Sequence, residues 1–232
     1  MKLLYLLINC CTVIIPLIFS FHPRLTFYKN WKFFFPANII VAAIFIAWDI
    51  YFTKTGVWGF NSKYVSGVYF FNLPIEEIFF FICIPFACVF SYHCLNLFWR
   101  ITWSRSFENI FILILSFLLF VTGTIYFKKA YTASTFISLG ILLMAVKFIF
   151  KVSWLPKLFS IYPILLIPFF IVNGLLTGSG LQEPVVWYNN SENLGVRLFT
   201  IPFEDIFYGF ELILLNIYLY EFFKNKFAIA KV

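Results

Sequence analysis

Charge is scarce in this chain. Only 12% of its 232 residues are Asp, Glu, Lys or Arg, where a soluble domain carries about a quarter, and 62% are hydrophobic. With a mean hydropathy of +0.93, a soluble globular domain is excluded and an integral membrane protein is indicated. Cofactor motifs are missing as well. No G-x-G-x-x-G or P-loop occurs, and Gly178-Ser179-Gly180 follows no predicted strand, so no nucleotide or flavin cofactor is indicated. Hydrolase chemistry lacks a G-x-S-x-G elbow and a usable Ser, His and Asp set. The two histidines, His22 and His93, show no zinc-like spacing with Cys10, Cys11, Cys83, Cys88 and Cys94, so no metal is expected and the cysteines read as packing residues.

What is present is a series of long apolar runs. Segments near 3 to 20, 33 to 52, 73 to 95, 107 to 127, 133 to 150, 158 to 177 and 201 to 223 are each long enough to cross about 30 Å of hydrocarbon. The first has only Lys2 ahead of it and no small-residue cleavage pattern, so it is kept as a helix and not read as a signal peptide. Seven transmembrane helices result. One face would carry ten basic residues (Arg24, Lys29, Lys32, Arg100, Arg105, Lys151, Lys157, Lys224, Lys226, Lys231) and the other six (Lys2, Lys54, Lys63, Lys128, Lys129, Arg197). The richer face is expected in the cytoplasm, with the N-terminus outside and the C-terminus inside. The net charge of +7 is scattered over helix ends without a basic stripe, so no nucleic-acid partner is expected.

Acids are costly in a membrane, and here they come in a repeated pattern. An offset of 128 aligns Gly67 with Gly195, Phe71 with Phe199, Pro74 with Pro202, Glu76 with Glu204, Glu77 with Asp205, Ile78 with Ile206 and Phe79 with Phe207. Each copy follows a turn-rich loop bearing Trp and Asn, 55–61 in one case and 186–190 in the other. These helix starts belong to the third and seventh spans, which run in the same direction. The expected architecture is an all-α parallel 3+1+3 repeat in one membrane domain, with residues 1–96 as repeat one, 97–130 as a connecting helix and 131–232 as repeat two. All four acids then lie at one face. Helix capping is the plainer account: Asn72 or Thr200 can cap, Pro74 and Pro202 suit a first turn, and acids there suit the helix dipole. It explains one acid per helix more easily than two.

Glu211 lies seven residues after Glu204, on the same helical face and about 10 Å deeper, with Tyr208 between them. It reads either as a site residue or as the partner of a lysine such as Lys147. Asp49, near the end of the second span, reads as an interfacial residue held by the nearby loop. Carboxyls clustered in a poorly hydrated site cannot all ionise, so one stays protonated beside an ionised neighbour. Such a set can add a proton to an alkene, let the cation close a ring and remove a proton elsewhere, with no redox cofactor.

The Leu73-Pro74-Ile75-Glu76-Glu77 helix start, the Gly56-to-Asn61 loop, Leu176-to-Gly180 and Ile201-Pro202-Phe203-Glu204-Asp205 together resemble the membrane-integral lycopene cyclases. That family occurs as two small subunits in some actinobacteria, as a fused chain in archaea and Bacteroidetes, and as the cyclase part of fungal fusions. A chain bearing both halves resembles the fused form. The resemblance implies isomerisation of lycopene through γ-carotene to β-carotene without a cofactor, with the family's proline and acid motif falling on Pro74, Glu76, Glu77, Pro202, Glu204 and Asp205; Glu211 joins these candidate acids only through its place in the polar stripe. Phe79, Phe80, Phe207, Tyr208 and Asn61 are the expected substrate contacts, the aromatic faces being suited to a ring cation. A carotenoid and membrane lipid are the implied partners, with self-association or contact with other carotenoid-pathway enzymes left open. With both acid pairs at one face, a two-ended substrate must turn over or rebind, and a monocyclic intermediate is expected. Two rivals come from other classes. A small-solute transporter would want polar residues along the whole bundle axis, and a retinal-binding protein would want a lysine inside the seventh span, whereas Lys224 and Lys226 come after it.

Overall fold

In a computed structural model that describes residues 2–99 and 102–229, seven α-helices form a bundle closed at one end by a layer of short strands. The helices are α1 (Leu4–Phe19), α2 (Trp31–Thr55), α3 (Ile75–Phe98), α4 (Arg105–Ile125), α5 (Ala130–Met144), α6 (Leu155–Leu176) and α7 (Glu204–Ile229). Six helical segments are long and apolar enough to cross a membrane: 27–55, 75–98, 105–125, 130–149, 155–176 and 204–226. The chain is a multi-pass membrane protein. The first helix, expected as a full span, has 16 residues, or roughly 24 Å, short of the hydrocarbon thickness. Two of the basic residues used to orient the chain, Arg100 and Lys231, lie outside the described residues.

Local chemistry sets the helix ends. Gly56 takes the left-handed conformation (φ 76°) that stops α2, since it has no Cβ to clash there. Ser104 caps α4 by accepting from the Phe107 N–H at 3.3 Å. A π-helical turn, Ala145–Ile149, follows α5 and carries Lys147, whose ammonium pairs with Glu108 of α4 at 2.6 Å. Lys147 is therefore not the partner of Glu211. The cysteines are free, and Cys10 and Cys11 are exposed on α1 instead of packed in the core as expected.

The strands are β1 (Trp58–Phe60), β2 (Tyr69–Phe70), β3 (Leu73–Pro74), β4 (Val186–Tyr188), β5 (Arg197–Leu198) and β6 (Ile201–Pro202). They make the repeat physical. Hairpins β2–β3 and β5–β6 turn at equivalent residues, where Phe71 (φ 55°) and Phe199 (φ 58°) both hold a conformation rare outside glycine. The Ile75 N–H donates to Val68 O at 2.9 Å, and Phe203 donates to Val196 O at 3.0 Å. β1 and β4 pair antiparallel, with Gly59 opposite Trp187, its own equivalent at an offset of 128. On either side of that point Asn61 N–H reaches Val185 O at 2.9 Å and Asn189 N–H reaches Val57 O at 2.8 Å. A local two-fold axis passes through the ribbon.

The helices join this layer in matched pairs. Tyr5 N–H donates to Tyr64 O at 3.2 Å and Tyr131 N–H to Glu192 O at 2.9 Å, so α1 and α5 begin at equivalent sites in the layer. α1 packs on α3 and α5 on α7, with α2 against both α3 and α7. The main core, around Phe34, Phe86, Leu143, Leu158 and Leu214, lies away from the strand layer.

Candidate active site

Beneath the β1–β4 ribbon lies a cavity that is partly open at its edge. Along α3 its lining runs from Glu77 to Ser91, a length of roughly 21 Å at helical rise. Side chains of α6 and α7, among them Leu165, Phe169, Leu212 and Ile213, give it mostly apolar walls. Glu77, Asp205 and Asp49 reach it from three different helices.

The acid pairs divide alike in both halves. Glu76 and Glu204 do not line the cavity; both are fully buried and accept a backbone N–H from ten residues upstream, Ser66 and Leu194, each at 2.7 Å. These carboxylates tie each hairpin to its helix, and Thr132 Oγ1 adds a second bond to Glu204 at 2.5 Å. The side-chain caps considered from sequence do not form. Asn72 donates instead to Ile50 O at 2.9 Å, and Thr200 bonds the Thr177 and Ser179 hydroxyls at 2.7 and 2.8 Å.

The second acid of each pair turns inward. Glu77 accepts the Tyr5 hydroxyl at 2.5 Å, and Asp205 accepts Tyr131 at 2.6 Å and Tyr188 at 3.0 Å, one on each oxygen. Tyr188 belongs to the strand layer, where burial and the neighbouring Asp205 carboxylate push its phenol well above the ordinary range. It therefore stays a donor at neutral pH. Trp58, Tyr131, Tyr188 and Tyr208 stand around these carboxyls, with Trp58 and Tyr131 rings 5.0 Å apart edge-to-face and Tyr131 and Tyr188 stacked at 5.9 Å. Their π-faces can stabilise a cation in the cavity.

Other expected positions scatter. Phe80 and Tyr208 line the cavity, but Phe79 is 41% exposed and Phe207 packs against Phe136 at 4.9 Å. Asn61 lies in the loop, where it receives the Lys63 N–H at 3.0 Å and donates to Glu183 at 2.8 Å. Glu211 is buried but faces α5, accepting from Ser138 Oγ at 2.9 Å. Asp49, expected at the interface, is only 2% exposed and sits in the cavity wall, because α2 continues past it to Thr55 and brings the Trp58 indole back to its carboxyl. Sequence reasoning also missed Tyr5, Tyr131, Tyr188 and Asn173, polar residues among so many aromatic and apolar ones. Asp49 carried a signal all the same, being the sole acid of the predicted second span.

A family model for lycopene cyclase matches the chain in two blocks, residues 2–95 and 128–223. The chain belongs to the lycopene cyclase family. The block starts lie 126 residues apart and the ends 128, the same spacings that equate Tyr5 with Tyr131 and Glu77 with Asp205. No match is found among curated proteins or among solved structures. Family membership makes this chain a carotenoid cyclase, an enzyme whose substrate is a carotenoid.

Proposed function

We propose that the protein cyclises the ψ-ends of lycopene to β-rings by acid catalysis, through γ-carotene to β-carotene, as a fused parallel 3+1+3 repeat within the membrane. The observation that carries this reading is the convergence of Glu77 and Asp205, equivalent residues of the two halves, on one elongated apolar cavity. A carboxyl there protonates the terminal C1=C2 double bond. Attack of the C5=C6 bond on the resulting cation closes the ring, and loss of the C6 proton to a carboxylate leaves the β-ring. The reaction has no net redox change, so the proposal calls for no redox cofactor.

The aromatic faces of Trp58, Tyr131 and Tyr208 are suited to the ring cation, and the apolar walls to the remaining polyene. Since both inward acids belong to one cavity, the two ends of lycopene react in turn, with release and re-entry between them. The test is expression in a bacterium that accumulates lycopene, with pigment analysis of the extract. Conversion to β-carotene with γ-carotene appearing first is the expected result. Unchanged lycopene despite confirmed membrane insertion would sink the reading, and bicyclic product with no monocycle at low turnover would remove the sequential step.

A further inference from the structure

The two halves of the cavity are built alike and charged differently. Tyr5 matches Tyr131, Glu77 matches Asp205, and Phe80 matches Tyr208. An offset of 124, which also equates Gly56 (φ 76°) with Gly180 (φ 75°), matches Asp49 with Asn173. Asp49 and Asn173 both line the cavity. One half thus holds two carboxyls, Asp49 and Glu77, where the other holds Asp205 and an amide.

Hydrogen bonding follows the same division. Asp205 has a tyrosine hydroxyl on each oxygen, so both oxygens already have the donors an ionised carboxylate needs. Asp49 is 98% buried and its Oδ2 has no hydrogen-bond partner. A buried acceptor with no donor is destabilising when neutral and more so when charged. The groups acting on Asp49 are Glu77 from α3, the Trp58 indole from β1, Tyr5 from α1 and Tyr208 from α7. None of these brings a cation, and Glu77 brings a second carboxyl. One proton on this pair removes the repulsion between its two carboxyls, as in other carboxyl pairs that share a site, and a proton on Asp49 Oδ2 removes the charge from the oxygen that no donor meets.

We infer that Asp49 and Glu77 share one proton and together form the acid that protonates the polyene, while Asp205 is the ionised group that accepts the ring proton. Each ring closure moves one proton from the pair to carbon C2 and one from C6 to Asp205. Return of that proton from Asp205 to the pair restores the site, so protons and electrons balance. This assignment rests on the acid-catalysed reading above and goes beyond it by naming a third carboxyl and separating donor from acceptor.

The decisive experiment is a double-mutant cycle on the full chain in lipid nanodiscs with lycopene as substrate. Asp49→Asn and Glu77→Gln should each lower kcat by about 100-fold or more, with KM within about threefold of the parent. Because a pair sharing one proton acts as a unit, the double variant should be no more than about threefold slower than the slower single variant. Asp49→Glu should return to within about tenfold of the parent rate. Losses that multiply in the double variant, or an Asp49→Asn protein with more than half the parent rate, would overturn the shared acid. Should Asp49→Asn fail to fold, Asp49→Glu decides, and a folded Asp49→Glu protein below about a hundredth of the parent rate overturns it too. Full activity of both Glu77→Gln and Asp205→Asn would instead bring down the acid-catalysed reading itself.

Discussion

In the strand layer the two halves of the chain make the same bonds at equivalent positions: Ser66 to Glu76 and Leu194 to Glu204, Ile75 to Val68 and Phe203 to Val196, Asn61 to Val185 and Asn189 to Val57. In the cavity just beneath, equivalent positions diverge, with aspartate against asparagine, phenylalanine against tyrosine, and one hydroxyl on Glu77 against two on Asp205. The layer is where the chain meets itself, and β1 and β4 can pair about a two-fold axis only if both copies keep one backbone geometry. Cavity side chains carry no such constraint. The proposed reaction would need a proton donor on one side of the cavity and an acceptor on the other, which identical halves would not provide.

The contrast can be broken experimentally, beginning with the largest effect. Asp205→Asn should cost about 100-fold or more in cyclisation rate while leaving thermal stability near that of the parent, measured by pigment turnover and a melting scan. An equal loss of stability would mean that Asp205 belongs with the layer. Lys147→Met, far from both regions, should cost about 3–5 kcal/mol of stability because it leaves the Glu108 carboxylate buried without its cation. A Lys147→Met, Glu108→Leu double variant should recover most of that, and detergent-resolved melting reads both.

Glu76→Gln and Glu204→Gln should invert the Asp205 pattern, each costing about 1–3 kcal/mol of stability with activity per folded molecule within about tenfold of the parent. The Glu204 variant should be the worse of the two, since Thr132 also depends on it. The smallest effect belongs to the cross-link between Lys63 and Glu183, at 2.7 Å but with side chains 64% and 47% exposed. The Lys63 ammonium holds the Glu183 carboxyl below its usual range, and Glu183 in turn raises the lysine. Whatever stability the pair contributes is present at neutral pH, fades as acid protonates Glu183, and fades again as base neutralises Lys63. Glu183→Gln should leave the melting temperature unchanged at physiological salt, and a clear drop would show the cross-link to be part of the layer's frame.

Much of the fold was legible because the signals are long and repeated. Apolar runs mark the spans, and matches at an offset of 128 mark equivalent helices. The site was half legible. Two adjacent acids on a helix point about 100° apart, so one faces the cavity and the other does not, but which is which depends on the neighbours. Here Ser66 and Leu194 claim the first acid of each pair, and Tyr5, Tyr131 and Tyr188 meet the second. Glu211 shows the same limit, because its place in the stripe with Glu204 and Tyr208 did not reveal that Ser138 on α5 would take it.

The sequence by itself determined a membrane protein of two related halves with carboxyls at matching helix starts, and by resemblance its family. These properties follow from composition and local spacing, which need no partner. Only the tertiary structure decided that Glu76 and Glu204 hold the hairpins, that Glu77 and Asp205 meet in one cavity, and that Asp49 joins them. Those outcomes depend on which helix packs against which, and on the hydrogen-bond donors that this packing brings to each buried oxygen.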